Sequence, residues 1–285
     1  MQEKMAERKD AWKTIFIFLT IVTIISSVFH YSIVNLYPSR IYIGALMWCP
    51  AIASIITLKL KGRSISSLNW DWRNWKYIRL SYLVPALYVL ITYTLIWLFE
   101  LGGLPNKEIV LDWAKELGLV GIGTLNPIFA VIVAVILLGT VGVIRAMATT
   151  LGEEIGWRGF FIYELKKVLS FTGVSLFSGI VWALWHWPLI VYYGSGNIAL
   201  EMTTLIIGTV SMSIIMTYYT FKSKSLWPAV IFHAVSNVYV QKIFPPLTTK
   251  IEGTQHWLGE GGLMITIIIT LFAIYFWKKA VKEKL

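Results

Sequence analysis

The chain has 285 residues, of which 57% are hydrophobic and 14% charged, and its mean hydropathy is +0.69. Soluble domains carry about 25% charged residues, whereas the apolar residues here form blocks of about 20, the length that crosses a bilayer as a helix. This composition excludes an ordinary soluble protein. The net charge is +10, and the basic residues flank the apolar blocks. This pattern indicates that they orient the chain in a membrane rather than bind nucleic acid. With Cys49 as its single cysteine, the chain has neither an intrachain disulfide nor a cysteine zinc cluster.

Eight apolar segments predict membrane-spanning helices, so we expect an all-α, polytopic membrane helical bundle that forms a single membrane-embedded domain over residues 1–285. The connection after the second segment, from Asn69 to Tyr77, alternates tryptophans with polar and basic residues, which is typical of the headgroup layer. The third connection predicts a short helix from Lys107 to Leu117. The predicted spans are about 12–34, 41–60, 77–99, 127–150, 174–193, 199–221, 226–244 and 262–279.

The distribution of basic residues predicts the orientation. If the N-terminus is cytoplasmic, twenty of the 25 lysines and arginines lie in cytoplasmic segments, as the positive-inside rule requires. The outer segments then hold only Arg40, Lys107, Lys115, Lys242 and Lys250. We therefore expect a multi-pass integral membrane protein, in the cell membrane if the organism is prokaryotic, with both termini cytoplasmic.

An acidic pair, Glu153 and Glu154, lies at the cytoplasmic end of the fourth span. On a helix, Glu154 and Arg158 are four residues apart and share a face, so Arg158 is expected to hold Glu154 ionised and fixed. Glu153 points about 100° away and is free to act as a base. The alternative interpretation is a solvated, charged helix end.

Two histidines and an asparagine favour a functional interpretation. His186 lies deep in the fifth span, and His233 and Asn237 are four residues apart in the seventh, so these two point to one side. A single intramembrane histidine is often a hydrogen-bonded packing residue. These side chains and the acidic pair lie on three different spans, however, and they need one another as partners because lipid offers none.

Several known intramembrane protease types are excluded by missing motifs. There is no His-Glu-x-x-His, the zinc motif of metalloproteases. No aspartate lies inside a predicted span, which excludes a two-aspartate mechanism, and no rhomboid-like Gly-x-Ser-Gly occurs.

The combined motifs resemble those of a known family. Glu153-Glu154-x-x-x-Arg158, then His186 in an aromatic helix, then His233-x-x-x-Asn237 is similar to the CPBP family, which includes the type II CAAX prenyl endopeptidases and bacteriocin-processing or immunity proteins. The resemblance covers about residues 127–245. One departure is Trp182, four residues before His186, where the family commonly has phenylalanine.

The resemblance implies an intramembrane endopeptidase whose site is reached from the cytoplasm and the membrane. Prenyl-processing relatives remove the three residues that follow a prenylated cysteine, so the implied partners are a peptide or protein substrate, with prenylated proteins as one class, and membrane lipid, without nucleic acid. In this interpretation Glu153, helped by His186, activates water, and His233 and Asn237 donate to the oxyanion. Glu154 and Arg158 fix the local charge.

The sequence leaves two questions open. Glu153, His186 and His233 are a legitimate zinc set, so a metalloprotease is one alternative. We favour a glutamate peptidase without a cofactor, because Asn237 suits an oxyanion donor better than a zinc ligand. The alternative functions are a non-catalytic immunity or binding membrane protein, which keeps the motif for structure, and a transporter that binds protons or ions.

Overall fold

The computed structural model describes residues 2–117, 126–194 and 197–285. Within these ranges every regular element is a helix, apart from one isolated β-bridge between Gly103 and Thr249. The predicted all-α, polytopic bundle is therefore confirmed. The helices are α1 Gln2–Asn35, α2 Arg40–Leu60, α3 Trp75–Leu98, α4 Lys107–Leu117, α5 Pro127–Lys166, α6 Phe171–Tyr193, α7 Ile198–Ser223, α8 Trp227–Val238 and α9 Leu263–Lys282, with 3-10 turns at Ile65–Leu68 and Thr254–His256.

Seven of the described helices, all except α4 and α8, are long and apolar enough to cross a membrane. Helix α8 is shorter because the backbone after Val238 widens into a π-helical turn, Tyr239–Ile243, followed by a short helix, Phe244–Leu247. Nearly all side chains of α8 are buried, and the helix packs against α3, α5 and α7. The predicted seventh span is therefore a central helix that its neighbours screen from lipid.

Different contacts close the two ends of the bundle. At the end that holds both chain termini, Arg63 Nη1 lies 2.6 Å from Glu164 Oε1. At the opposite end, Thr254 Oγ1 donates to the carbonyl oxygen of Leu101 over 2.9 Å. We call these the terminal end and the distal end. Because the helices other than the short α4 alternate in direction along the chain, α2, α5, α7 and α9 all begin at the distal end.

Two glycines bring α5 against α2 and thereby position the acidic pair. A Cβ added to Gly152 would lie 2.7 Å from the carbonyl oxygen of Met47, and one added to Gly156 would lie 2.5 Å from that of Pro50. Only glycine permits so close an approach of two helices. The backbone of α5 then becomes π-helical over Ile155–Phe161, a distortion that is frequent at functional sites.

Candidate active site

The acidic pair is buried inside the bundle. Glu153 is 1% exposed and Glu154 is fully buried, so the solvated helix end considered above is wrong. The two carboxylates face different partners, as expected from their 100° separation on a helix. Glu154 contacts Arg158 and His233, whereas Glu153 contacts Trp182 and faces a cavity.

Arg158 is also fully buried and lies between Glu154 and Trp182. Its Nη1 lies 3.1 Å from both carboxylate oxygens of Glu154 and donates a hydrogen bond to Oε1. The guanidinium carbon lies 4.2 Å from the centroid of the Trp182 ring, a cation–π contact. Each residue of this buried ion pair depends on the other, because removing one partner leaves an uncompensated charge in the interior.

His233 is held by the same carboxylate. Its Nδ1 lies 2.9 Å from Glu154 Oε1, and the residue is 4% exposed. The imidazole packs edge-on against Trp182, with ring centroids 5.1 Å apart. The hydrogen bond at Nδ1 fixes the orientation of the ring, which leaves Nε2 for the cavity that His233 lines.

His186 has a partner within its own helix, which the sequence did not predict. Its Nδ1 lies 2.9 Å from the carbonyl oxygen of Trp182. A carbonyl oxygen only accepts, so Nδ1 carries the proton and Nε2 is a free acceptor. The ring also packs against Trp185, with centroids 4.8 Å apart. These contacts fix the tautomer and the direction of the imidazole.

Four of the six predicted site residues line one cavity of about 240 Å³. Glu153, His186, His233 and Asn237 line it, whereas Glu154 and Arg158 do not. Asn237 is half-buried and lies one helical turn beyond His233. The cavity wall is otherwise largely apolar, with Ile43, Leu46, Met47, Leu189, Leu205, Met212, Ile265 and Ile269 among its residues. The site thus consists of four cavity residues and a buried ion pair behind them.

Trp182 has a larger part in the site than the sequence indicated. Its indole Nε1 donates to Glu153 Oε2 over 2.8 Å, while its ring carries the Arg158 guanidinium and contacts His233. The available signal was its position four residues before His186, on the same face of α6. Trp182 therefore contacts Glu153 directly and Glu154 through Arg158. Its hydrogen bond to Oε2 leaves Oε1 of Glu153 for the cavity.

Further polar side chains line the cavity without any signal in the sequence. Tyr88 and Ser236 share a hydrogen bond of 2.5 Å between α3 and α8. Near the cavity mouth, Gln241 Nε2 donates to Glu260 Oε1 over 2.6 Å. Both pairs depend on how separate helices are rotated against each other, which no local pattern reveals.

The mouth of the cavity lies at the distal end. Gln241 and Glu260 line the cavity and are exposed. Ile43 and Ile265, in the first turns of α2 and α9, line it beside them, and the buried Glu153 forms its floor. Two expectations from the sequence, cytoplasmic termini and a site reached from the cytoplasm, therefore conflict. With cytoplasmic termini, the mouth faces the other side of the membrane.

The predicted zinc ligands are Glu153, His186 and His233. Among the described residues, no three His, Cys, Asp or Glu side chains are grouped to hold a metal ion. Nδ1 of His233 is bonded to Glu154, and Nδ1 of His186 to a backbone carbonyl. These bonds leave Nε2 of each imidazole available, as in histidines that bind a metal through Nε2, so the choice between a zinc and a glutamate mechanism stays a prediction.

Comparison with known proteins agrees with the motifs. Residues 124–239 match the sequence model of the family described as type II CAAX prenyl endopeptidase, Rce1-like. Over these residues the chain is similar to the Rce1-like family. The resemblance to CAAX prenyl endopeptidases is thereby confirmed, and the matched region contains all of the predicted site residues, which are Glu153, Glu154, Arg158, His186, His233 and Asn237.

A curated relative supports the same family. The "CAAX prenyl protease 2" of Methanococcus maripaludis is 30% identical to this chain over 140 residues, which are 47% of this chain and 48% of the relative. The chain thus aligns with about half the length of the curated relative. Together with the seven apolar helices, the family indicates an integral, multi-pass membrane protein.

Proposed function

We propose that this chain is an intramembrane endopeptidase in which Glu153 activates a water molecule. The observation that carries the proposal is the convergence of Glu153, His186, His233 and Asn237 on one cavity. A positioned carboxylate with two imidazoles and an amide supplies the base and the hydrogen-bond donors that amide hydrolysis needs. The match to the Rce1-like family supports the same reaction.

The geometry suggests how the side chains divide the reaction. Glu153 Oε1, the oxygen not bonded to Trp182, takes a proton from water as the water oxygen attacks the carbonyl carbon of the substrate. His186 Nε2, a free acceptor, orients that water. His233 acts as an imidazolium, whose Nδ1–H is bonded to Glu154 and whose Nε2–H donates to the oxyanion together with the amide of Asn237. The proton held by Glu153 passes to the amine as the C–N bond breaks. When the substrate fills the cavity and excludes bulk water, each of these interactions becomes stronger.

The wall of the cavity suggests the substrate class. Aliphatic side chains from α2, α6, α7 and α9, such as Leu46, Leu189 and Leu205, surround the polar floor. Such a wall suits an apolar peptide segment or a lipid-modified one. Because the curated relative is named a CAAX prenyl protease, we propose the C-terminal segment of a membrane-attached protein, with prenylated proteins as the first class to test.

The test compares site variants in turnover. Glu153→Gln and His186→Ala should each lower turnover by at least the roughly 10²–10⁴-fold typical of general acid–base catalysis. Asn237→Ala should lower it by roughly 10²–10³-fold, with little change in KM, because one oxyanion donor is lost. Glu116→Gln, on the exposed face of α4, is the matched control.

Peptides released from membranes that contain the wild-type protein are compared with those from membranes that contain Glu153→Gln, and purified proteins are then assayed on the peptides found. Near wild-type cleavage by folded Glu153→Gln would refute the mechanism. A wild-type protein that cleaves nothing under the same conditions would favour a binding or immunity protein.

Metal dependence is tested separately. We expect full activity in protein that elemental analysis shows to be free of metal. Activity that is lost with a chelator and restored by about one equivalent of zinc would instead show that the catalytic side chains hold a metal ion.

A further inference from the structure

His186 lies between two tryptophans of its own helix, Trp182 and Trp185. The centroid of its ring is 5.8 Å from that of Trp182 and 4.8 Å from that of Trp185, and the ring planes meet at 61° and 86°. The hydrogen bond to the carbonyl oxygen of Trp182 fixes one atom of the imidazole, Nδ1, while the two indoles limit its rotation. The direction of Nε2 therefore depends on where the two indoles are held.

Each indole is anchored to another helix through its N–H. Trp182 bonds to the proposed catalytic carboxylate in α5, whereas Trp185 Nε1 donates to Ser26 Oγ of α1 over 2.8 Å. Ser26 is 1% exposed and Trp185 is 9% exposed, so water does not replace this bond. The second anchor is in α1, which lies outside residues 124–239, the part of the chain that matches the family.

Two further rings pack against Trp185. His30 of α1, four residues after Ser26, and Trp157 of α5 each have their ring centroid 6.0 Å from that of the indole. Ring contacts of this kind are satisfied over a range of geometries, with centroids about 4.5–7 Å apart. A buried indole N–H, in contrast, needs an acceptor in a defined direction. The hydroxyl of Ser26 therefore determines which edge of the indole faces α1.

We propose that Ser26 is a positioning residue, which holds Trp185 so that Nε2 of His186 points at the water beside Glu153. The inference rests on the proposed function, in which His186 Nε2 orients that water. Ser26 itself does not line the cavity, whereas Trp185 and His186 do, so the serine acts through the indole. Loss of its hydroxyl misaligns the imidazole and slows turnover, while the cavity wall that binds the substrate stays as it is.

Kinetics of four serine variants test this role. Ser26→Ala should lower kcat by about 2- to 10-fold, the equivalent of one neutral hydrogen bond, with KM unchanged. Ser26→Thr keeps the hydroxyl and should turn over faster than Ser26→Val, which has the same shape without it. This matched pair remains informative if Ser26→Ala is unstable. Ser27→Ala is the control, because Ser27 is exposed and its hydroxyl donates to Thr23 within α1.

A double-mutant cycle tests whether the effect passes through the indole. Trp185→Phe keeps an aromatic ring and removes the N–H, so adding Ser26→Ala to it should lower kcat no further. Thermal unfolding in detergent is measured for every variant. A Ser26→Ala protein that is less stable but has the wild-type kcat would show a merely structural serine and overturn the inference. A full additional loss in the double variant would overturn it as well.

Nitrogen NMR of the histidine rings tests the positioning without any turnover. The chain has four histidines, and full-length protein with isotopically labelled histidine gives ring signals that are assigned by replacing one histidine at a time with glutamine. In Ser26→Ala the signals of His186 should shift, whereas those of His256, in the 3-10 turn before α9, should match the wild type.

Unchanged His186 signals in Ser26→Ala would overturn the positioning role. Failure of the proposed function gives a different result, since the wild-type protein would then cleave nothing while the His186 signals still respond to Ser26→Ala. In that case the serine positions the imidazole for another purpose than hydrolysis.

Discussion

The hydrogen bond from Trp182 to Glu153 offers the sharpest test of how the base is held. Trp182→Phe removes the indole N–H that lies 2.8 Å from Glu153 Oε2. The phenyl ring keeps an aromatic face beneath Arg158, whose guanidinium carbon lies 4.2 Å from the present ring. The change therefore isolates one donor, while the cation–π contact and the apolar wall are largely retained.

The expected loss follows from the strength of that bond. Hydrogen bonds to charged groups contribute about 1.5–3 kcal/mol net. If the same energy holds the carboxylate in its reactive position, and each 1.4 kcal/mol is about tenfold in rate, kcat should fall by about 10- to 150-fold. The weaker cation–π contact of phenylalanine adds at most about 1 kcal/mol to the loss of stability.

The assay measures kcat, KM and the midpoint of thermal unfolding in detergent for the wild type and for Trp182→Phe. Trp277→Phe is the matched control, because its indole Nε1 donates to Thr172 Oγ1 over 2.9 Å, on the outer side of α9 and outside the cavity lining. An unchanged kcat in Trp182→Phe, with the fold intact, would show that Glu153 needs no such donor. An equal loss in Trp277→Phe would trace the effect to general destabilisation.

Arg158→Ala should lower the free energy of unfolding by about 3–5 kcal/mol, because it leaves its carboxylate partner buried without a counter-charge; chemical or thermal unfolding in detergent that matches the wild type would contradict this. Gly156→Ala should cost about 1–3 kcal/mol through overpacking against α2, whereas Gly44→Ala, which meets no atom within 4 Å, should unfold like the wild type. In a cysteine-free background, a cysteine at Glu252 should react with an impermeant label from outside and one at Ser64 should not. The reverse pattern would place the termini outside and the cavity mouth on the cytoplasmic side.

Features that a single helix or the membrane dictates could be predicted from the sequence. The length of an apolar block is set by the bilayer, and seven of the eight predicted spans correspond to described helices that are long and apolar enough to cross it. The pairing of Glu154 with Arg158 follows from helical periodicity alone, and the structure shows it. The short helix α4 begins and ends where its charge and apolar pattern indicated, at Lys107 and Leu117.

Features that depend on two helices at once could not be predicted. The bond between Trp182 and Glu153 requires a particular rotation of α6 against α5. His186 turned out to be held by a carbonyl of its own helix, which no motif encodes. The position of the cavity mouth depends on where Gln241 meets the loop before α9. The sequence therefore predicted which side chains meet at the cavity, while the contacts between different helices and the access route depend on the packing.

The acidic pair lies between Gly152 and Gly156, the two residues through which α5 approaches α2 most closely. The reach of Glu153 into the cavity is therefore a property of the association between two helices, and one added methyl group at their contact displaces both. A substitution that loosens this contact therefore also moves Glu153, and a substitution that moves Glu153 also changes the contact. Directed evolution for new substrates should accordingly accept changes in the aliphatic cavity wall and leave this five-residue segment untouched.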